Sequence, residues 1–493
     1  MGRVSRATAG RPGNNAPRGS AALLAAILCA TSGIPAFAIT DEEIYGALRF
    51  PRALPGARTA GMGGAGLALV EDPAASRINP ARLASIGDPE LLLEGRMRQS
   101  DDASGDSDLV LFDADPNGHP FAGTSTSARA GMDGGASASA LGFAYPLRLT
   151  RPLVLSFSRV EGLDIGIGLS SVTRTTPPSV PVTPGGGDEV LRISRGRLDL
   201  DMELYNLAAG WRLTPTFSVG GTFVVGTMKI SSETVGLLAD PLQITRAGMF
   251  DPRFSGPCAE PLYVTTSDGS DTGLGFVFGS AWKPIPSLAV ATAYRRGPRF
   301  ELSAESRDLS LATRSSFTNV VKVPDAAAAG LAWTPFLSHP SAVMQSLTFA
   351  LDLERVEYSD LLDGLREREG ILTRADVASN VSYDIGDAVE VRFGVEALRS
   401  FSTWTLALRG GLYTEHDQRL HLDGITDDPN SPLAGQGKAL REGGFLLPDG
   451  RTDWHATLGA GARLYALCWD LAIDLSDSAA QVVLTGVYRF GRR

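Results

Sequence analysis

Residues 347–354 read Leu-Thr-Phe-Ala-Leu-Asp-Leu-Glu. Leu347, Phe349, Leu351 and Leu353 fall on one side of an extended chain, and Thr348, Ala350, Asp352 and Glu354 on the other. Successive side chains of a strand point to opposite faces, so this alternation describes a β-strand with one apolar and one wet side. Residues 389–397 repeat it: Val389, Val391, Phe393, Val395 and Ala397 oppose Glu390, Arg392, Gly394 and Glu396. The same period recurs in residues 205–213, 276–283, 288–296, 404–413, 454–465 and 469–476.

Two folds carry such strands. In a soluble sandwich the aliphatic rows meet in a dry core and the charges face outward. In a membrane barrel the aliphatic rows face lipid and the charges face the lumen. The spacing separates them. Fourteen strands are expected, near residues 90–98, 138–147, 152–172, 197–213, 216–231, 272–283, 287–304, 325–334, 346–358, 388–398, 403–414, 453–466, 468–476 and 481–490. Long connections (99–137, 173–196, 232–271, 305–324, 359–387, 415–452) alternate with short ones such as Leu213–Thr216, Lys283–Pro286 and Leu467. An antiparallel barrel with short turns at one end and long loops at the other requires this rhythm, and a sandwich does not. Aromatics near strand ends (Trp211, Trp282, Tyr294, Trp404, Trp454, Trp469, Tyr488) suit interfacial girdles. Lipid leaves no unpaired backbone satisfied, so the strands must close on themselves.

The first 38 residues have the form of an export signal: Arg11 and Arg18, an apolar run over 21–30, and the small-x-small site Ala36-Phe37-Ala38. Its removal takes Arg3, Arg6, Arg11 and Arg18 and no acid, so the formal charge of −10 becomes −14. An acidic chain without a cluster of Lys and Arg is unsuited to nucleic acid. Two cysteines then remain, Cys258 and Cys468, placed by the strand order at opposite ends and expected as free thiols. No window after the signal is long and apolar enough for a membrane helix.

Between the signal and the first strand lies Gly56–Ala84, GARTAGMGGAGLALVEDPAASRINPARLA. Gly61-x-Gly63-x-x-Gly66 satisfies the letter of a dinucleotide motif, but no strand precedes it and no βαβ unit surrounds it. Gly61, Gly63, Gly64 and Gly66, then Glu71-Asp72, then Asn79-Pro80-Ala81 resemble the N-terminal plug of the FadL/TodX family of long-chain fatty acid and hydrocarbon transporters. Residues 205–218, 282–295, 322–333 and 447–463 are similar to that family's strand–turn phrases, and the likeness covers most of residues 50–490. Gly491-Arg492-Arg493 after Phe490 departs from the usual terminal aromatic.

The resemblance implies an all-β chain, a transmembrane antiparallel barrel of about fourteen strands (90–493) in the outer membrane. A plug segment (39–89) fills its lumen, with Gly61, Gly63, Gly64, Gly66, Asp72, Asn79 and Pro80 at its heart. Asp72, Arg77, Asn79 and Arg82 are expected to pair with lumen charges such as Asp352, Glu354, Glu390, Arg392, Glu396, Arg409 and Arg463. The plug reads equally as a gate or as a static stopper.

In the third strand Leu153, Leu155, Phe157, Leu163, Ile165, Ile167 and Leu169 form an apolar row broken in the middle by Arg159 and Glu161. A charge facing mid-membrane lipid costs roughly 2–4 kcal/mol for Arg and less for Glu, so a bulge or kink at Gly162 should turn both inward. In the resembled family a kink in the third strand opens the wall sideways, which makes Arg159, Glu161 and Gly162 candidates for a lateral opening. A hairpin at Glu161-Gly162 is the alternative. The loop 232–271 is rich in apolar residues, among them Leu237, Leu238, Leu242, Met249, Phe250 and Phe254. They are expected to cover the barrel mouth, either as a ligand-capture surface or as a self-packed cap.

Passive uptake of hydrophobic small molecules follows from the resemblance, by a monomer surrounded by outer-membrane lipid. The alternative is a PorV-like accessory barrel that binds protein partners, since such barrels share a similar Gly-Met-Gly-Gly…Asn-Pro-Ala phrase. An enzyme is not expected. His119, His339, His416, His421 and His455 show no Ser/His constellation, His455 reads as a lumen hydrogen-bonding group, and no metal-ligand spacing or cofactor motif stands out.

Overall fold

The fold is a ring of strands without a free edge. A computed structural model describes residues 54–100, 104–111, 124–132, 135–175, 190–239, 261–308, 313–335, 346–361, 381–416, 421–425, 452–476 and 479–491. Fourteen strands make the ring: β1 Glu90–Ser100, β2 Gly135–Leu147, β3 Leu153–Thr175, β4 Val190–Arg212, β5 Phe217–Ala239, β6 Pro261–Ile285 and β7 Leu288–Arg296. They continue as β8 Ala326–Trp333, β9 Ser346–Val356, β10 Ala388–Ser400, β11 Trp404–Glu415, β12 Asp453–Leu464, β13 Leu467–Leu475 and β14 Ala479–Arg489. Each strand pairs antiparallel with its neighbours in chain order. The pairing of β1 with β14, from Glu90↔Arg489 to Ser100↔Ala479, closes the circle. Further strand segments lie beyond the ring, Ser104–Leu111 with Thr124–Met132, Arg299–Asp308 with Thr313–Lys322, and Val381–Asp384 with His421–Ile425.

The orientation of the side chains decides between barrel and sandwich. Val389 and Leu458 are 63% and 68% exposed, whereas Glu354 and Glu396 are 1% exposed. The aliphatic rows therefore face out and the charges face in, which only a lipid surround makes favourable. Trp211, Trp282, Trp333, Trp404 and Trp469 are exposed near the short-turn end, where strands reconnect over Arg212–Phe217, Ile285–Leu288 and Leu464–Leu467. Among the described residues no helix is long and apolar enough to cross a membrane.

Strands β3 to β6 run 23 to 25 residues, longer than a bilayer requires and longer than their alternation alone predicts. Along β4 the outward row starts with Arg197, Asp199, Asp201 and Glu203 and then becomes Tyr205, Leu207, Ala209 and Trp211. Its inward row is buried Leu198, Leu200, Met202 and Leu204, followed by Asn206, Ala208 and Gly210. The outer part of the wall is thus polar outside and apolar inside. Its interior is a packed cluster including Leu163, Ile165, Leu198, Leu200, Met202, Met228, Phe300 and Tyr358. Beneath it, toward the short turns, residues 54–89 lie inside the ring as α1 (Ala57–Gly61), α2 (Ala75–Ile78) and a 3-10 turn over Pro80–Ser85.

Candidate functional site

The N-terminal segment is held to the wall by close backbone approach. Gly63 adopts a left-handed backbone (φ 62°), and a methyl group there would lie 2.6 Å from the Phe393 carbonyl oxygen and 2.7 Å from the Leu412 nitrogen. Opposite it, a methyl on Gly411 of β11 would overlap the Gly63 nitrogen. Pro80 stands in the same relation to Gly210 and Gly220, and Gly61 to Gly459, while a methyl on Gly279 would overlap the Asn79 side-chain oxygen. Gly64 packs on the Arg392 side chain and Gly66 on Thr59. Glycine is needed on both sides of this interface, because helical turns and strands meet backbone to backbone. The wall glycines are visible in the sequence as inward positions of strands, but their partner cannot be read from periodicity.

Polar contacts fix the rest. Gly56 N–H donates to Glu94 Oε2 at 2.5 Å, Ala57 N–H to Thr485 at 2.8 Å, Gly63 N–H to Thr457 at 2.9 Å and Leu67 N–H to Asp352 Oδ2 at 2.9 Å. Arg58 donates to both oxygens of Glu396, which also receives Arg409. Wall charges complete the layer: Arg295 pairs with Glu354, while Arg392 reaches both Glu354 and Glu390 at 2.9 Å. The segment's ion pair with a lumen carboxylate is made by Arg58, which the sequence reading did not single out, and not by Asp72, Asn79 or Arg82. Arg82 binds Glu71 at 2.5 Å within the segment, and Asp72 accepts from Ala74 N–H at 2.8 Å. Asn79, fully buried, caps the 3-10 turn through Ala81 N–H and donates to Leu67 and Ser280 carbonyls, each at 3.1 Å. Burial raises the Asp72 carboxyl to about 6, opposed by the Ala74 N–H and by Arg58. Short polar residues side by side on an otherwise small-residue segment do not reveal which of them turn outward.

Among the described residues the wall is interrupted between β2 and β3. A second gap, at residues 270–275 of β6, lies between its ladder with β7, which ends at Phe276↔Arg296, and its pairing with Arg299–Asp308, which begins at Ala304↔Gly269. The β2–β3 ladder ends at Ala140↔Val160, and β3 is next paired on that side at Met132↔Ile167. Residues 161–166 of β3 have no ladder partner there among the described residues. On the other side β3 stays paired with β4 and bulges at Gly162, between Glu161↔Glu203 and Leu163↔Met202. One continuous strand passes through, so the hairpin alternative is ruled out. The bulge reverses the faces beyond it. Glu161, Leu163 and Ile165 are buried inside, so Leu163 and Ile165 do not continue the lipid-facing row of Leu155 and Phe157. Arg159 corrects the sequence expectation, since only Glu161 turns inward. Arg159 stays on the outer face, with Nη2 on Glu203 Oε1 at 2.5 Å and Nη1 on the Ala138 carbonyl at 2.5 Å. Nor are these charges at mid-membrane, because Glu203 is where the outward row of β4 changes from charged to apolar.

Inside the bulge lies a cavity of about 80 Å³. Leu54, Val160, Gly162, Met202, Leu204, Val323 and Tyr358 give it apolar walls, and Arg77, Glu161, Arg295 and Glu354 line its polar side. Leu237 and Leu238, expected in a loop, lie on β5, paired with Ile193 and Arg192 of β4. Leu242, Met249, Phe250 and Phe254 fall outside the described residues, as does Cys258. Cys468 is a buried free thiol. His455 faces the lumen between Asp474 (3.0 Å) and Glu415 (3.2 Å), with Tyr413 stacked on its ring. Asp325, Glu357 and Asp360 come within reach of a shared cation, a grouping that spacing did not suggest, and the Lys322 ammonium pairs with Asp325 and Asp360.

A closed antiparallel ring of fourteen strands with a greasy exterior is the architecture of outer-membrane barrels. No protein-family model matches the chain, and no curated protein does. Among solved structures, a Pseudomonas aeruginosa FadL homologue aligns with 90% of this chain and 100% of its own at 15% identity, with a TM-score of 0.53. The CymD monoaromatic hydrocarbon channel aligns over 90% and 99% at 13% identity (TM-score 0.47), and the Ralstonia pickettii toluene transporter TbuX over 88% and 98% at 15% (TM-score 0.45). The chain has the FadL-type barrel fold.

Proposed function

We propose that this protein is an outer-membrane channel for passive uptake of hydrophobic small molecules such as long-chain fatty acids. Residues 39–89 act as its plug, and the interruption at Gly162 acts as a lateral exit. One observation carries the reading: the break in the ladder between β2 and β3 coincides with an internal cavity whose walls are mostly apolar. A porin needs an open polar path, whereas here residues 54–89 and paired charges pack against the inner wall. A hydrophobic ligand instead follows the apolar interior of the outer wall, reaches the cavity beside Gly162 and leaves sideways. Burial of its surface in lipid then supplies about 25 cal/mol per Å². At about 80 Å³ the resting cavity is smaller than such a ligand, so passage displaces the flexible Met202 and Leu204 side chains that border it. The FadL-type fold is compatible with this route. The PorV-like alternative has no comparable observation in its favour.

The test is uptake of a dansyl-labelled fatty acid into proteoliposomes. Saturable uptake faster than into empty liposomes, without swelling in maltose, is expected. Uptake equal to that of empty liposomes would overturn the proposal.

A further inference from the structure

Lateral release needs β2 and β3 to part, and the structure contains a contact that holds them together. β2 bulges where β3 loses its partner: Glu94↔Ala140 is followed by Arg96↔Ser137, which leaves Ala138 and Ser139 opposite Gly95. Ser139 turns inward to Glu94, and the Ala138 carbonyl lies outside both flanking ladders. Arg159 Nη1 reaches across from β3 and donates to that carbonyl at 2.5 Å. Its Nη2 is anchored on Glu203 of β4, whose other oxygen accepts from the Tyr205 hydroxyl at 2.5 Å. One planar guanidinium thus ties three strands together on the outer surface, beside the six β3 residues (161–166) that have no ladder partner there among the described residues.

We propose that Arg159 is a latch on the lateral exit, a positioning residue whose release from Ala138 sets the rate at which ligand leaves. The inference rests on the lateral-exit reading above. Glu203 and Tyr205 hold the guanidinium in either state, so opening breaks only the bond to Ala138. Opening exchanges a hydrogen bond from a charged guanidinium for one from interfacial water, and such charge-assisted bonds are the stronger ones, which makes the closed state the resting one. The Glu203–Tyr205 level is the outer edge of the apolar band, so the detached guanidinium meets headgroup water and phosphate rather than acyl chains. Arginine suits this place, since its fork serves a carboxylate and a carbonyl at once, and lysine offers only a point charge.

The test uses the full chain in liposomes, with Cys29, Cys258 and Cys468 replaced by serine and spin labels at Ala136→Cys and Asp164→Cys across the interruption. One narrow distance distribution is expected, with a longer component appearing in Arg159→Ala and a smaller one in Arg159→Lys. Release of a pyrene-labelled fatty acid into the bilayer should rise about tenfold in Arg159→Ala, the factor for one charge-assisted hydrogen bond. The same cysteine pair, joined by a short bismaleimide, tests the underlying reading. If the cross-link stops release while Arg159→Ala and Arg159→Lys leave distance and rate unchanged, the latch is refuted and the lateral exit stands. If cross-linked protein releases ligand at the normal rate, the exit itself is refuted and the latch with it.

Discussion

Arg58 of the N-terminal segment grips Glu396 of β10 by both carboxylate oxygens, Nη2 to Oε1 at 2.7 Å and Nε to Oε2 at 3.0 Å. The fork-to-fork geometry matters because Glu396 has a second guanidinium, Arg409, at 2.7 Å. Removing Arg58 leaves Glu396 still paired. Removing Glu396 leaves the half-buried Arg58 and the buried Arg409 guanidinia facing each other, and Arg409 keeps its pair with Asp470. Glu396→Ala should therefore destabilise by about 3–5 kcal/mol, the range for breaking a buried pair, and Arg58→Ala by clearly less. The temperature at which the folded barrel loses its compact mobility on a gel measures both. Equal losses would contradict the shared-carboxylate arrangement.

Backbone contact between segment and wall predicts a steric effect that depends on position. Gly411→Val places a branched side chain on the Gly63 nitrogen, and Gly220→Ala places a methyl on the Pro80–Ala81 peptide. Gly386→Ala has open space. The first two should cost about 1–3 kcal/mol or more through overpacking, and should expose residues 54–89 to protease. Gly386→Ala should do neither.

This contrast also marks how far the sequence reaches. The alternation in residues 347–354 and its repeats locate the strands of the ring, because lipid outside and charge inside impose period two on each span. Residues 287–304, expected as one strand, break at Gly297-Pro298 into Leu288–Arg296 and Arg299–Asp308, since proline offers the ladder no N–H. The face of β3 beyond Gly162 was not legible. An apolar row on each side of a bulge looks like one row, and only the pairing with Met202 shows that Leu163 has turned inward. Leu237 and Leu238 were misread as loop for a related reason. Outside the apolar band a strand loses its lipid-facing row, so its continuation resembles a connection. The wall glycines and Arg58 were missed because their partners are more than three hundred residues away for Arg58 and Gly63.

The pH dependence of the segment follows from Asp72. Its carboxyl sits at about 6 instead of 3.8, raised first by burial and further by the Asp470 and Glu94 charges. A raised acid binds its proton more tightly in the folded state, so its contribution is complete below about pH 4 and fades as pH rises through 6. Asp72→Asn keeps the acceptor for Ala74 N–H and removes the charge. It should stabilise the barrel on the order of 1 kcal/mol at pH 7.5, a figure reduced for the partial exposure of the side chain, and leave it unchanged at pH 4. Thermal melts of both proteins at the two pH values check this; a gain at pH 4 as large as that at pH 7.5 would exclude charge burial as the cause.

On β4 two leucines seven residues apart have opposite surroundings. Leu207 is exposed on the outer face among Phe157 of β3 and Phe223 of β5, its ladder partners. Leu200 is buried inside with Leu198 and Met202. Leu207→Arg should cost roughly 2–4 kcal/mol in a bilayer if that face meets acyl chains, and less in a small detergent micelle that bends to hydrate the charge. Leu200→Ala should cost about 2–5 kcal/mol in both, because its cavity opens among protein side chains and no lipid can fill it. Urea unfolding of each variant in thin bilayers and in micelles separates the two. If the Leu207→Arg penalty were the same in both, its face would be packed against protein, and the greasy exterior on which membrane insertion depends would be lost. If the Leu200→Ala penalty vanished in bilayers, lipid would have access to the interior of the outer wall, and the apolar route from the barrel mouth to Gly162 would not be enclosed.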